Sequence, residues 1–280
     1  MRTIAVANQK GGCGKTTTVV NLAAAFAELG KKILVVDLDS QGHATLGFGH
    51  EPDELDRSLY DVLVGEQVGM DAVIISTPTE GVDIVPGNIL LSGAELELAA
   101  LHHREYILKR RLSCVGEIYD ICIIDCSPSL GLLTLNALVA GSDVIIPVQT
   151  QYYALEGLKQ LLGTIDVVRQ RFNHGLNILG ILLTFVEQRT LLCRQIQDQM
   201  REYFGKVIFD GVIHRTVRLA ESSSAGESVL MYDPKCKASA EYRMLAMEIN
   251  RAGHTCQLPL LTSTSPGRNG VLPRTPMREI

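Results

Sequence analysis

Residues 9–17 read QKGGCGKTT and follow closely on the short apolar run 4–7. Glycines let the backbone N–H groups of such a loop turn toward one point, and the N-terminus of the next helix adds partial positive charge there. Lys15 supplies a full charge for the β- and γ-phosphates of a nucleotide, and the Thr16 hydroxyl can ligate Mg²⁺. Residues 16–29 have helical spacing, so strand, loop and helix come in the order that a phosphate-binding loop requires.

The alternative is a glycine-rich turn that binds no phosphate, and the order of the elements favours the phosphate loop. The loop is a variant, because the strict Walker pattern has glycine where this chain has Gln9. A second lysine, Lys10, stands next to it.

Apolar runs alternate with helical stretches along the rest of the chain. Predicted strands are 4–7, 32–38, 73–76, 82–86, 119–125, 143–148 and 177–185, and predicted helices are 16–29, 92–114 with an interruption near His102, 130–139, 153–171, 191–204 and 235–251. Strands that are apolar on both faces and alternate with helices indicate an α/β fold, a doubly wound, mainly parallel sheet with helices on both faces. Ligands bind at the carboxyl ends of such strands, where polar residues gather at 9–16, 37–41, 125–129 and 147–151.

The chain has 280 residues, of which 46% are hydrophobic and 20% charged, so it can bury a sizeable core. We expect residues 1–257 to form a single ATPase domain and residues 258–280, rich in Pro, Ser, Thr and Gly, to be a flexible tail. No signal peptide, membrane span or amphipathic anchor is evident, so a cytoplasmic protein with reduced cysteines and no membrane partner is expected. The net charge of −5 means that DNA binding would need a local basic patch.

Asp125 ends the apolar run Ile121–Asp125. A carboxylate at this place, combined with the phosphate loop, is expected to hold Mg²⁺ through the water shell of the ion. Asp39 lies just beyond the strand 32–38, and its alternative role is to cap the next turn. Asp37, nearer the strand, is expected to be structural.

The loop resembles the deviant Walker A box of the ParA/MinD superfamily, and the ParA/Soj chromosome-partitioning ATPases in particular. The resemblance implies that ATP is bound by the residues of the loop, which are Lys10, Gly11, Gly12, Cys13, Gly14, Lys15, Thr16 and Thr17. It also implies that Lys10 crosses a homodimer interface to the phosphates bound by the other subunit. Lys10 and Lys15 are therefore expected to be catalytic.

The segment Asp37–Thr45 resembles switch I of the family, and residues 126–131 resemble switch II. The resemblance implies that Asp39 positions or activates the attacking water and, with Thr16 and Asp125, takes part in the Mg²⁺ site. Ser40 replaces the usual proline and His43 the usual asparagine.

The segment 213–222 resembles the family segment whose start packs on adenine, which implies ATP contacts from His214 and Arg215. His214 stands where the family has proline, and Thr216 where it has asparagine. Arg189 and Arg218 match family positions implicated in DNA contact. Between 189 and 218 six cations stand against three anions. The alternative for this patch is a solvated helix face of mixed charge.

The likeness covers roughly residues 1–253 and best fits the small Soj-like type. It implies an ATP-dependent switch with Mg²⁺ as cofactor, which dimerises, binds double-stranded DNA nonspecifically and hydrolyses ATP slowly when a ParB-like partner stimulates it on the nucleoid. One alternative is a related ATPase that positions a protein complex of the MinD, cellulose-synthesis or flagellar kind. Another is a nucleotide-gated regulator with negligible turnover.

Overall fold

The computed structural model describes residues 1–65, 67–151, 154–187 and 191–252. Within these ranges, eight strands form one sheet in the order β3-β4-β2-β5-β1-β6-β7-β8. The strands are β1 (Arg2–Val6), β2 (Ile33–Leu38), β3 (Ile75–Ser76), β4 (Val82–Val85), β5 (Ile121–Cys126), β6 (Asp143–Gln149), β7 (Asn177–Val186) and β8 (Ile208–His214). All pairings are parallel except that of β3 with β4.

Helices cover both faces of the sheet, as the sequence predicts. They are α1 (Lys15–Glu28), α2 (His43–Gly47), α3 (Leu59–Val64), α4 (Leu91–Leu98), α5 (Ile107–Ser113), α6 (Leu132–Ala140), α7 (Ala154–Arg171), α8 (Leu191–Phe204), α9 (Val217–Ser224), α10 (Val229–Tyr232) and α11 (Lys237–Ala252). Short 3₁₀ turns lie at Pro52–Glu54, Met70–Ala72, Arg104–Tyr106 and Gly205–Val207. No helix in the described ranges is long and apolar enough to span a bilayer.

Two hydrophobic cores lie on opposite sides of the sheet, because successive strand residues point to opposite faces. In β2, Leu34 and Val36 join the core under α3 to α8, whereas Ile33 and Val35 join the core under α1 and α11. Strands buried on both faces explain the continuous apolar runs in the sequence. The doubly wound α/β architecture is therefore confirmed.

The central position of β1 determines where the site lies. β1 pairs with β5 on one side and β6 on the other, and β5 pairs with β2. The loops that follow these four strands meet at one edge of the sheet. Asp37 of β2 and Asp125 of β5 are direct register partners near this edge.

The element predictions differ from the structure in a few places. The strand β8 was missed because Asp210 and Gly211 interrupt its apolar pattern, which an edge strand tolerates. The predicted strand 73–76 is reduced to the two residues of β3 and runs antiparallel. The interruption near His102 is confirmed, since α4 ends at Leu98 and α5 begins at Ile107. The tail 258–280 lies outside the described residues.

Candidate functional site

The loop between β1 and α1 is open on the side where a ligand would lie. A side chain added at Gly11 or Gly12 would have no neighbour within 4 Å. Gly12 and Gly14 have φ angles of +69° and +87°, a left-handed conformation that favours glycine. Gly14 is also the N-cap of α1, so the positive end of the helix lies directly behind the loop.

The loops after three strands line one cleft of about 640 Å³. Its polar lining comes from the glycine loop and Lys15, Thr16 and Thr17, from Asp39, Ser40, Gln41 and His43 after β2, and from Ser127 and Ser129 after β5. Lys15 is 7% exposed, and its Nζ donates to the carbonyl of Lys10 at 3.3 Å. The structure thus brings together in one cleft three of the four segments that the sequence placed at one edge, 9–16, 37–41 and 125–129, while 147–151 does not line it.

Asp125 is fully buried and does not itself line the cleft, but it contacts Thr16, which does. Its Oδ2 accepts a hydrogen bond of 2.7 Å from Thr16 Oγ1, and its Oδ1 is buried with no hydrogen-bond partner. Burial raises the pKa of Asp125 well above its ordinary value, helped by the charges of Asp37 and Asp39 and opposed by Thr16 and Lys15. The Thr16 hydroxyl and a carboxylate with an unused oxygen fit a divalent cation with its water shell, and the Lys15 ammonium fits a phosphate beside it.

Asp37 and Asp39 have different surroundings. Asp37 is fully buried, and its Oδ2 accepts hydrogen bonds of 2.8 Å from the backbone N–H and from the hydroxyl of Thr45. Burial is the main cause that raises the pKa of Asp37 to about 6. This carboxylate ties α2, through Thr45, to the end of β2.

Asp39 lines the cleft and is 8% exposed. Its Oδ1 accepts a hydrogen bond of 3.1 Å from the backbone N–H of Gln41. Asp39 therefore makes the turn contact that was the alternative to a catalytic role. It also lines the cleft, as Lys15 does.

Lys10 is placed differently from Lys15. Its side chain does not contribute to the lining of the cleft, and its Nζ donates to Oε1 of Gln151 at 2.6 Å. Gln151 belongs to the segment 147–151 that the sequence placed at the site edge, but no motif indicated this contact.

A second pocket of about 630 Å³ adjoins the cleft and shares Gly14, Thr17 and Phe185 with it. Its further lining is mostly apolar and includes Ile213, Val217, Leu219, Ala220 and Tyr242. His214 and Arg215 also line it. The polar cleft suits the phosphates of a nucleotide, and the adjoining apolar pocket suits its base.

Phe185 lines both compartments. It has a φ angle of +52°, an uncommon conformation for a residue with a side chain. Its ring lies 3.5 Å from the place where a Gly14 side chain would begin, and the neighbouring Thr184 donates to the carbonyl of Cys13 at 2.8 Å. Backbone strain at a ligand site of this kind is kept by the surrounding contacts.

Two carboxylates that the sequence did not indicate belong to the site. Glu241 on α11 binds the ring and the backbone N–H of His214. Glu95 on α4 lines the cleft and accepts a hydrogen bond of 3.1 Å from the backbone N–H of Leu133 at the start of α6. Neither Glu241 nor Glu95 belongs to a local sequence motif, because the residue that each one contacts is distant in the chain.

Of the two predicted DNA-binding residues, the structure describes Arg218, which does not line the cleft. Arg218 is half exposed, and it pairs with Glu221 at 2.9 Å and with Asp233 at 3.2 Å. Arg215 pairs with Glu187 at 2.9 Å. Arg189 lies outside the described residues. The local excess of positive charge is thus partly neutralised within the described chain.

Comparison with known proteins extends this picture. Residues 1–178 match a family described as an AAA domain. The chain is 47% identical to the sporulation initiation inhibitor protein Soj of Bacillus subtilis over 250 residues, which covers 89% of this chain and 98% of that protein. It is 42% identical to the chromosome partitioning protein ParA of Caulobacter vibrioides over 251 residues, covering 89% and 94%.

A solved structure is similar throughout the described fold. It is a cobyrinic acid a,c-diamide synthase from Mycobacterium smegmatis with a bound ATP analogue and magnesium. The TM-score is 0.79 at 39% identity, with 94% of this chain and 100% of that chain covered.

Proposed function

This chain belongs to the ParA/Soj family of chromosome-partitioning ATPases, and we propose that it is an ATP-driven switch that dimerises on ATP and acts on DNA. The observation that carries the proposal is the hydrogen bond of Thr16, which lines the polar cleft, to the buried Asp125, in a cleft that shares lining residues with an apolar pocket. The bound ATP analogue and magnesium of the similar Mycobacterium structure support the same ligands here.

ATP would lie across both compartments. The backbone N–H groups of residues 11–16 and the Lys15 ammonium hold its β- and γ-phosphates, and the apolar pocket holds its base. Thr16 and Asp125 would hold Mg²⁺, Asp125 through water, with Asp39 nearby. Bound there, the ion would neutralise charge on the phosphates.

Catalysis of ATP hydrolysis would depend on positioning the attacking water and neutralising charge more than on covalent chemistry by the protein. Asp39 lines the cleft beside Lys15 and would orient the attacking water toward the γ-phosphate. Lys10, outside the cleft of its own protomer, would reach the nucleotide of a second subunit and make the active homodimer depend on ATP. Slow turnover would then rise when a ParB-like partner binds the dimer.

DNA contact would come from Arg189 and Arg218 in an ATP-bound dimer. Because Arg218 is paired with two carboxylates in the protomer, phosphate oxygens of DNA would have to replace these partners. Contacts to phosphates are blind to sequence and weaken steeply with salt. The protein would therefore be held on the nucleoid only while ATP is bound.

The test is DNA retention with ATP, with ADP and without nucleotide, at two salt concentrations. Native protein should bind DNA with ATP at low salt, and Lys15→Gln and Arg218→Glu should both lose binding. Lys109→Glu is the matched charge reversal on an exposed helix surface and should bind as the native protein does. ATP-dependent dimerisation without DNA binding under any condition would contradict the DNA role and favour a protein cargo.

A further inference from the structure

The carboxylate of Glu95 borders the polar cleft but has no part in the reaction proposed above. It projects from α4 and accepts a hydrogen bond of 3.1 Å from the backbone N–H of Leu133, in the first turn of α6. The N-terminus of a helix stabilises a negative charge placed there. The contact thus offsets a charge that would otherwise only repel phosphates, and it joins two helices at the edge of the cleft.

Gly131, the N-cap of α6, allows this contact. Its φ of −81° is one that any residue adopts, so backbone conformation does not require glycine here. A Cβ at position 131 would instead clash with both carboxylate oxygens of Glu95. The N-cap residue makes no side-chain hydrogen bond of its own. Glu95 therefore supplies the cap of α6 from another helix, and the missing side chain at Gly131 leaves room for it.

The loop 127–131 runs from the end of β5, beside Asp125, to this capped helix end. In the described chain, residues 127–130 take part in no backbone–backbone hydrogen bond. The Thr134 hydroxyl donates to the carbonyl of Ser129 at 2.6 Å, but Thr134 belongs to α6 itself. Glu95 ties the far end of the loop to a different element, α4, so the place of the loop in the cleft depends on this contact.

The same loop carries two hydroxyl groups at the cleft. Ser127 Oγ and Ser129 Oγ lie 2.9 Å apart, and both residues line the cleft. One hydroxyl donates to the other, so one proton of the pair is left for a third acceptor. In a cleft filled with nucleotide, a phosphate oxygen or the attacking water would be that acceptor.

We propose that Glu95 is a positioning residue for ATP hydrolysis, which caps α6 from α4 and so holds the Ser127 and Ser129 hydroxyls against the γ-phosphate and the attacking water. The proposal rests on the proposed function, because it requires ATP in the cleft. Glu95 acts through the loop and not on the substrate, so its loss slows the chemical step and leaves ATP binding nearly intact. A displacement of about 1 Å in groups that position reactants can cost about 100-fold in rate.

The test measures single-turnover hydrolysis of Mg²⁺–ATP and, separately, the affinity for ATP. Glu95→Ala should hydrolyse ATP about 10- to 100-fold more slowly than native protein, with an affinity within about twofold of native. Glu95→Gln keeps an oxygen that can accept from Leu133 and should restore the rate to within about fivefold of native. This separation of rate from affinity is the signature of a positioning role.

A second variant reaches the same contact without changing Glu95. Gly131→Ala should displace the carboxylate by the clash described above and slow hydrolysis to the same extent. In the Glu95→Ala background the clash is gone, so Gly131→Ala should then slow hydrolysis no further. Multiplicative losses in the double variant would overturn the inference.

Two control variants separate positioning from general effects on charge and stability. Glu97→Ala removes an exposed carboxylate from the same helix, where it accepts from the Tyr60 hydroxyl at 2.7 Å. Ser58→Ala removes the side-chain cap of α3, which should destabilise the fold about as much as Glu95→Ala does. Both controls should hydrolyse ATP within about twofold of the native rate.

Three outcomes would overturn the inference alone. They are hydrolysis by Glu95→Ala at the native rate, equal losses in Glu95→Ala and Ser58→Ala, and loss of ATP-dependent dimerisation in Glu95→Ala, which sedimentation velocity would detect. If native protein does not hydrolyse ATP, the proposed function fails and this inference fails with it.

Discussion

The ammonium group of Lys10 donates a hydrogen bond of 2.6 Å to Oε1 of Gln151. This contact ties the phosphate loop after β1 to the loop after β6, and it keeps Lys10 apart from the cleft where Lys15 lies. Two lysines five positions apart in the sequence thus have different surroundings. If Lys10 acts on the nucleotide of a second subunit, it must first leave Gln151.

Substitutions of Gln151 should therefore shift the ATP-dependent dimerisation in opposite directions. Gln151→Ala removes the competing partner of Lys10 and should strengthen dimerisation by about two- to fivefold, as for an exposed hydrogen bond. Gln151→Glu should weaken it by holding Lys10 in an ion pair. Sedimentation velocity with ATP measures both, and Lys10→Ala is the control that should not dimerise. Equal ATP-dependent dimerisation of the two Gln151 variants would argue that the hydrogen bond to Gln151 does not restrain Lys10.

Lys15→Ala should lose nucleotide affinity without losing the fold. The described hydrogen bond of Lys15 Nζ is a 3.3 Å contact to the Lys10 carbonyl, so little tertiary structure depends on it. We expect affinity for ATP to fall by about 10- to 100-fold, the loss typical of a charge-assisted contact. A fluorescent ATP analogue measures this, with Lys109→Ala as the matched control. Unchanged affinity in Lys15→Ala would place the phosphates elsewhere.

Asp125→Asn should make the nucleotide-free protein more stable and the Mg²⁺–ATP complex weaker. The amide oxygen can still accept from Thr16, and the substitution removes a charge that burial disfavours, as the raised pKa of Asp125 indicates. We expect Tm without nucleotide to rise by about 2–4 °C, which corresponds to about 1 kcal/mol in a chain of this size. Calorimetry with and without Mg²⁺–ATP tests both parts. Equal stabilisation of variant and native protein by Mg²⁺–ATP would contradict the metal role.

Gly131→Ala should act through Glu95. A Cβ at position 131 would clash with Glu95 Oε1, so the carboxylate must leave the backbone N–H of Leu133 that it caps. The loss of a helix cap costs about 1 kcal/mol, and Glu95→Ala should cost the same. The double variant should then be no less stable than either single one. Urea denaturation of the native protein, the two single variants and the double variant measures this double-mutant cycle. Additive losses in the free energy of unfolding would exclude a coupling between Gly131 and Glu95.

Thiol labelling should separate the described cysteines by burial. Cys114 is exposed, whereas Cys13, Cys122 and Cys126 are fully buried, and burial raises the pKa of each of these three thiols. Because the thiolate is the reactive form, iodoacetamide should modify Cys114 at least about 100-fold faster. Peptide mapping by mass spectrometry measures each site, and labelling in urea should remove the differences. Rapid native labelling of Cys122 would show that the sheet opens.

The sequence by itself determined the features that depend on neighbouring residues. The glycine loop, Lys15 and Thr16 form one contiguous motif because a phosphate cradle is built from consecutive backbone N–H groups. The doubly wound sheet was predictable because strands buried on both faces are apolar throughout. Asp125 could be found because it directly ends such a strand.

The tertiary structure alone decided the contacts between distant segments. Glu241 lies 27 positions from His214, and Gln151 lies 141 positions from Lys10. A carboxylate or an amide has no periodicity that reveals its partner, since the contact depends on how helices and loops pack on the finished sheet. The edge strand β8 belongs to the same class, because its pairing with β7 and not its own residues makes it a strand.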